Sequence, residues 1–154
     1  MERKEPLVTS SLANTDHEVR EKYPYNGAEK EFLILVADDS VDNVVVVSLD
    51  LQAEGYKVVT ASNGEEAVNV ARLTHPNLIL MDISMPLLDG LAAARKIHEI
   101  EALQDVPVVA ITALSTEGFQ RAAYDVGVAG YLVKPIDFDR LHQLVRRLLG
   151  PQAA

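Results

Sequence analysis

The sequence predicts a three-layer α/β fold, in which helices cover both faces of a parallel β-sheet. Two observations lead to this prediction: short apolar runs alternate with helix-like segments, and the runs are almost continuously apolar instead of alternating with polar residues. Continuously apolar strands are typical of parallel sheets that are buried on both faces. Strand and helix follow each other five times, and crossovers of this length are right-handed in nearly all proteins.

The five predicted strands are short and consist mainly of Val, Ile, Leu and Ala. They are FLILVA (32–37), KVVTA (57–61), NLILMD (77–82), VPVVAIT (106–112) and GYLVK (130–134).

The first two helices are predicted from their ends. Four consecutive valines within residues 41–54 favour a strand locally. The segment is nevertheless long enough for a helix, and Gly55 stands where glycine commonly follows a helix end. Ser62 and Glu65 resemble a capping box, which predicts a second helix that continues to about Leu73.

The last three helices are predicted from apolar residues that recur at intervals of three and four, as on one face of a helix. The three sets are Ala93, Ile97 and Ile100; Phe119, Ala122, Ala123 and Val126; and Phe138, Leu141, Leu144, Val145 and Leu148.

The composition excludes several classes of function. The chain has 154 residues, a formal net charge of −9 and no cysteine, which rules out disulfides, thiolate metal sites and a cysteine nucleophile. There is no basic stripe of the kind that binds nucleic acid directly. No apolar run approaches the ~20 residues of a membrane span, and the N-terminus lacks the apolar centre of a signal peptide. We therefore expect a cytoplasmic protein without membrane contact.

The regular pattern begins near Phe32, so we predict one domain over residues 31–150. Residues 1–30 are polar and mixed in charge, which predicts a flexible N-terminal extension. Residues 151–154 form a short tail after Gly150. This ending predicts a single-domain protein or a fragment without a separate output domain.

Polar side chains end four of the predicted strands. Asp38 and Asp39 follow the first strand, Asp82 ends the third, Thr112 ends the fourth and Lys134 ends the fifth. In open α/β sheets, ligands bind beyond the carboxyl ends of the strands, where these groups would meet. The three carboxylates would repel one another, and Mg²⁺, which prefers oxygen ligands, would relieve that repulsion.

Each of these residues also has a simpler interpretation. Asp38, Asp39 or Ser40 could cap the following helix. Thr112 could be an ordinary β-branched residue at a strand end, and Lys134 a surface lysine. Their joint position at strand ends favours a functional site. There, Asp82 beside a metal and a lysine could act as a nucleophile towards phosphorus.

These residues resemble the receiver domain of two-component response regulators over about residues 32–150. The resemblance rests on the pair Asp38–Asp39, the DxxMPxxDG-like run from Asp82 to Gly90, ITA at 111–113 and KP at 134–135. It implies a CheY-like, flavodoxin-like fold with strand order 2-1-3-4-5. It also implies that Asp82 accepts a phosphoryl group from a histidine kinase or a histidine phosphotransfer protein.

The resemblance implies further roles by position. Mg²⁺ would be bound by Asp38, Asp39, Asp82 and the backbone carbonyl of Ser84, while Thr112 and Lys134 would hold the phosphoryl group. Thr112 and Tyr131 would form the switch, and the Lys134–Pro135 peptide would be cis.

Two surfaces are implied as well. The first helix would face the kinase, and the face of helix 4, strand 5 and helix 5 would meet a downstream effector protein. In this sequence that output face would include Phe119, Arg121, Tyr131, Arg140 and His142. An aromatic half-packed at a sheet edge is the simpler interpretation of Tyr131.

Two alternatives to a phosphorylated signalling module remain open. A receiver-like scaffold would bind partners without phosphorylation, although the full set of acidic, hydroxyl and lysine groups argues against it. An aspartyl-phosphate hydrolase of the haloacid dehalogenase type would place a second aspartate at position 84, which is Ser84 here. A nucleotide-binding module lacks support, because no Gly-rich loop follows the first strand.

Overall fold

A five-stranded parallel β-sheet lies between two layers of helices in residues 31–150. The computed structural model describes residues 31–85, 89–113 and 117–150. Its strands are β1 (Leu33–Ala37), β2 (Lys57–Ala61), β3 (Leu78–Asp82), β4 (Val108–Thr112) and β5 (Gly130–Val133). Their order across the sheet is β2-β1-β3-β4-β5 and every pairing is parallel, so the predicted fold class and strand order are confirmed.

A helix follows each strand. The helices are α1 (Val41–Ala53), α2 (Gly64–Thr74), α3 (Gly90–His98), α4 (Glu117–Asp125) and α5 (Phe138–Leu149), with a 3-10 turn at Glu101–Leu103. The four-valine segment is therefore helical. It begins after Ser40, whose Oγ accepts a hydrogen bond from the N–H of Asn43 at 3.3 Å, and Gly55 follows its end with φ of 98°. No helix within the described ranges is long and apolar enough to cross a bilayer.

The core lies in two apolar layers, one on each face of the sheet. Side chains such as Leu35 and Ile79 pack with buried residues of α2, α3 and α4. Their neighbours along the same strands, such as Ile34 and Leu80, pack with buried residues of α1 and α5. Successive residues of a strand point to opposite faces, so both sets must be apolar. This arrangement explains why the strand sequences are continuously apolar.

The register of the strands brings their carboxyl ends to one edge of the sheet. Ala37 pairs with Met81, Asp82 pairs with Ile111, and Thr112 pairs with Val133. The residues that immediately follow β1, β3, β4 and β5 therefore emerge at the same edge.

The predicted cap of α2 is wrong by one residue. Asn63, not Ser62, caps the helix, and its Oδ1 accepts a hydrogen bond from the N–H of Glu66 at 2.8 Å. Glu66 in turn accepts hydrogen bonds from the backbone N–H and the hydroxyl of Ser62, at 2.6 and 2.8 Å. The helix cap lies one residue later than predicted, because Ser62 donates hydrogen bonds to a carboxylate, whereas Asn63 supplies the oxygen that accepts from the helix.

Other differences are small. Ala122 is exposed, because the buried face of α4 is narrower than predicted and centres on Ala123. Lys134 lies one residue beyond β5, and Ile100 follows α3. The proposed extension at residues 1–30 and tail at residues 151–154 lie outside the described residues, as do residues 86–88 within the DxxMPxxDG-like run.

Candidate functional site

Three carboxylates meet at the carboxyl edge of the sheet. Asp38 and Asp82 are buried, with 7% and 3% of their surface exposed, whereas Asp39 faces solvent. Each offers an oxygen, and these oxygens all lie within 4.8 Å of one another. A compact set of oxygen donors with one open side fits Mg²⁺, which binds few carboxylates and keeps several waters.

Hydrogen bonds hold the Asp38 carboxylate in place. Its Oδ1 accepts from the backbone N–H of Ser40 at 2.8 Å. Its Oδ2 lies 3.4 Å from both Nδ2 of Asn43 and Nζ of Lys134. Ser40 provides the helix cap itself, so the simpler interpretation of Asp38 and Asp39 as helix caps does not apply.

Asp82, the last residue of β3, is also held at both oxygens. Its Oδ1 accepts from the backbone N–H of Ser84 at 2.8 Å, and its Oδ2 accepts from Nζ of Lys134 at 2.8 Å. Partial burial by itself would lower the pKa of Lys134. The hydrogen bond and charge of Asp82, assisted by Asp38, outweigh that effect and raise the pKa above its ordinary value. Lys134 therefore carries its charge at neutral pH.

Thr112 and Lys134 come together through the β4–β5 pairing. Thr112 is completely buried at the end of β4, and its carbonyl accepts from the backbone N–H of Lys134 at 2.8 Å. The peptide between Lys134 and Pro135 is cis, as predicted.

Tyr131 lies in β5, opposite Ala110 and two residues before the strand ends. It is 8% exposed and belongs to the apolar layer that faces α2, α3 and α4. Burial raises the pKa of Tyr131, and nearby Tyr124 contributes to the increase. The structure thus places Tyr131 beneath the surface between α4 and α5, and a switch role for it stays a prediction.

The predicted position of His142 on the face of α4, β5 and α5 is wrong. Its Nε2 lies 2.7 Å from Oδ2 of Asp50 in α1, so the side chain points to the other side of α5. The sequence gives no hint of this, because Asp50 is 92 residues away. A groove of about 350 Å³ on the α4–β5–α5 face is lined instead by residues including Tyr124, Tyr131, Arg140 and Arg147.

Sequence reasoning missed Asn43 beside the site, and it included Gly90 in the DxxMPxxDG-like run without recognising its contact with β3. Asn43 reaches Asp38 from the first turn of α1. Its position three residues after the cap could have suggested a side chain facing the strand end. Gly90 touches the backbone of β3, since a Cβ there would lie 2.4 Å from the carbonyl oxygen of Asp82. The sequence signal for Gly90 is its place at the end of the DxxMPxxDG-like run, directly after the capping residue Asp89.

The sequence is similar to those of known proteins. The chain is 36% identical to a probable transcriptional regulator, ycf27 of Cyanophora paradoxa, over 116 residues, which are 75% of this chain and 47% of that protein. The chain thus spans about half the length of that relative. It is 32% identical to the polar-differentiation response regulator DivK of Brucella ovis over 117 residues, which are 76% of this chain and 95% of DivK.

Solved structures agree in fold. The chemotaxis protein CheY4 of Vibrio cholerae superposes with a TM-score of 0.75 at 28% identity, covering 78% of this chain and all of CheY4. The receiver domain of the sensor histidine kinase PA1611 of Pseudomonas aeruginosa, which holds a magnesium ion in its active site cleft, has a TM-score of 0.73 at 32% identity. That match covers 79% of this chain and all of that domain.

A family model for the response regulator receiver domain matches residues 34–146, which include every residue of the acidic cluster together with Thr112 and Lys134. The chain therefore belongs to the receiver domains of response regulators.

Proposed function

We propose that this protein receives a phosphoryl group on Asp82 from a histidine kinase or a histidine phosphotransfer protein, with Mg²⁺ bound at the acidic cluster. The observation that carries the proposal is the position of Asp82. This buried carboxylate lies beside two further carboxylates and is hydrogen-bonded to a charged lysine at the open edge of the sheet.

Asp38, Asp39, Asp82 and the backbone carbonyl of Ser84 would hold the metal. The three carboxylates provide the donor set, and the magnesium ion in the PA1611 receiver domain supports the same assignment here. Bound Mg²⁺ supplies positive charge that offsets the carboxylates and the phosphoryl oxygens.

The transfer requires positioning and charge compensation more than acid–base chemistry. A carboxylate oxygen of Asp82 forms a bond to phosphorus while the bond from phosphorus to the donor imidazole nitrogen breaks. The electron pair of the broken bond stays on that nitrogen. The ammonium of Lys134, whose Nζ lies 2.8 Å from Oδ2 of Asp82, offsets charge on the phosphoryl oxygens, and the hydroxyl of Thr112 would donate to one of them.

The output of this step is a contact with another protein. A phosphoryl group adds roughly −1.5 to −2 charge at the site. Thr112 and Tyr131 would transmit this change to the face of α4, β5 and α5, which includes Phe119, Arg121 and Arg140 and would bind a downstream effector. The protein would act in the cytoplasm as a signalling module, not as an enzyme with turnover, and without contact to nucleic acid or membrane.

The donor would dock beside the acidic cluster. The start of α1 adjoins the site, and this helix exposes four large apolar side chains to solvent. They are Val41, Val45, Val46 and Leu49. Exposed apolar groups on one helix are typical of protein contact surfaces.

Phosphorylation can be tested without knowing the natural donor. The purified protein is incubated with a small acyl phosphate and Mg²⁺, and its intact mass is measured. We expect the mass of one phosphoryl group to be added to the wild type and to Asp42→Asn, an exposed acidic control on α1, but not to Asp82→Asn.

Two results would contradict the proposal. A wild type that gains no mass would leave the partner-binding scaffold as the better explanation. Release of inorganic phosphate over many rapid turnovers, without accumulation of the phosphorylated protein, would indicate a hydrolase.

A further inference from the structure

We propose that Asn43 is a positioning residue that holds the Asp38 carboxylate in the orientation required for binding the cation. This inference rests on the proposed function, because it assigns a role to Asn43 in the same metal site.

The contacts of Asp38 support this role. Its Oδ1 accepts a hydrogen bond from the backbone N–H of Ser40. Its Oδ2 lies 3.4 Å from Nδ2 of Asn43 and 3.4 Å from Nζ of Lys134. A carboxylate only accepts hydrogen bonds, so the NH₂ group of Asn43, and not its carbonyl, must face Asp38. Asn43 therefore supplies a donor that restrains rotation of the Asp38 carboxylate.

Lys134 cannot replace this donor. Its Nζ lies closer to Asp82, at 2.8 Å, than to Asp38, at 3.4 Å. Its positive charge also opposes a bound cation, and the proposed transfer assigns the same ammonium to the phosphoryl group. The amide of Asn43 is neutral, so it restrains Asp38 without repelling Mg²⁺.

The attachment of Asn43 to its helix makes it a rigid support. Its backbone N–H donates to the capping hydroxyl of Ser40, at the first turn of α1. This capping bond uses the backbone of residue 43, so a substitution of the side chain leaves the cap in place. The side-chain contact with Asp38 can therefore be removed separately.

The test compares Mg²⁺ affinities by isothermal titration calorimetry. Asn43→Leu keeps approximately the shape of the side chain and removes the donor, and Asn43→Ala provides a second variant if the leucine is not accommodated. The matched control is Gln52→Leu, which removes an exposed amide near the other end of α1. Removing a group that orients a metal ligand typically weakens metal binding about 10–100-fold.

Because Asn43 is only half-buried and its contact is long, we expect a loss of about tenfold, at the low end of that range, for both Asn43 variants. Gln52→Leu should bind Mg²⁺ like the wild type. Thermal unfolding in EDTA separates this role from a purely structural one, which would lower the stability of the metal-free protein and leave the Mg²⁺ affinity of the folded protein unchanged.

Wild-type Mg²⁺ affinity in a folded Asn43 variant would overturn the inference. If the wild type still binds Mg²⁺ and is labelled on Asp82, the proposed function stands despite that result. A wild type that binds no Mg²⁺ would overturn both.

Discussion

Nζ of Lys134 lies 2.8 Å from Oδ2 of Asp82, although 52 residues separate them in the chain. The same ammonium is 3.4 Å from Oδ2 of Asp38. One cation thus offsets the charge of two buried carboxylates, whereas the third carboxylate, Asp39, is exposed and solvated by water. Lys134 therefore links two carboxylates of the acidic cluster, Asp38 and Asp82.

Replacing Lys134 with glutamine should lower the free energy of unfolding in Mg²⁺-free buffer. Breaking a fully buried ion pair costs about 3–5 kcal/mol, and we expect about 1–2 kcal/mol because Lys134 is partly exposed. Its raised pKa means that the contribution is fully present below about pH 10.4 and is lost as the pH rises through the folded-state pKa. Urea unfolding at pH 7 therefore measures the full contribution of Lys134 to the free energy of unfolding.

Added Mg²⁺ should stabilise Lys134→Gln more than the wild type, because the variant site is more negative. Lys96→Gln, on the exposed side of α3, is the control and should behave like the wild type in both buffers. An equal response of Lys134→Gln and wild type to Mg²⁺ would contradict the electrostatic account.

Replacing Gly90 with alanine should disturb the site through the backbone. The new Cβ would lie 2.4 Å from the carbonyl oxygen of Asp82 and 2.6 Å from Cα of Ile83, so β3 and the start of α3 must separate. We expect the free energy of unfolding to fall by about 1–3 kcal/mol, as for other overpacked sites. Because Asp82 must move, Mg²⁺ affinity should fall as well.

Gly118→Ala is the matched control for this experiment. Nothing lies within 4 Å of a Cβ at Gly118, and alanine is favoured over glycine in helices by up to about 1 kcal/mol. This variant should be as stable as the wild type or slightly more stable. Equal stabilities of Gly90→Ala and Gly118→Ala in urea would show that α3 moves away without cost.

Replacing His75 with glycine should stabilise the protein. His75 ends α2 with φ of 51°, in the left-handed region that costs an L side chain about 1–2 kcal/mol. Glycine adopts this conformation without strain but loses more entropy on folding, so we expect a net gain of about 0.5 kcal/mol. His75→Ala keeps the strain and should show no gain in the same urea experiment. A gain that is equal in the two variants would point to the side chain and not to the backbone.

Glu66 should make the start of α2 sensitive to acid. The backbone N–H and then the hydroxyl of Ser62 lower the pKa of Glu66 below its ordinary value. A carboxyl with a lowered folded-state pKa stabilises the protein above its unfolded pKa of about 4.3, and this contribution is lost as the pH falls through the folded-state pKa.

We therefore expect Glu66→Ala to lower the free energy of unfolding at pH 7 by about 0.5 kcal/mol, a small value because the group is exposed. The difference in the free energy of unfolding between Glu66→Ala and the wild type should narrow as the pH falls below about 4.3, the ordinary pKa of glutamate. Glu65→Ala, an exposed neighbour, should lose less at pH 7. A difference between Glu66→Ala and wild type that stays constant down to acid pH would argue against the hydrogen bonds to Ser62.

Much of the fold followed from local patterns in the chain. Strands of continuous apolar residues and helices with recurring apolar residues predicted the layers, since both patterns reflect which faces are buried. The four-valine segment was correctly predicted as a helix from its length and from Gly55, although valine locally prefers strands. The cap of α2 was missed by one residue, because Ser, Asn and Glu can exchange donor and acceptor roles within one turn.

The order of residues along the chain is enough to identify the chemical groups that reach the edge of the sheet. Polar residues that end parallel apolar strands must emerge together, so Asp38, Asp82, Thr112 and Lys134 could be identified without coordinates. Their arrangement is visible only in the folded protein: Asp39 is open to solvent, Asn43 faces Asp38, Gly90 lies against β3, and His142 turns to α1. These outcomes depend on contacts between segments far apart in the chain, and no local pattern encodes the distance or orientation of such a contact.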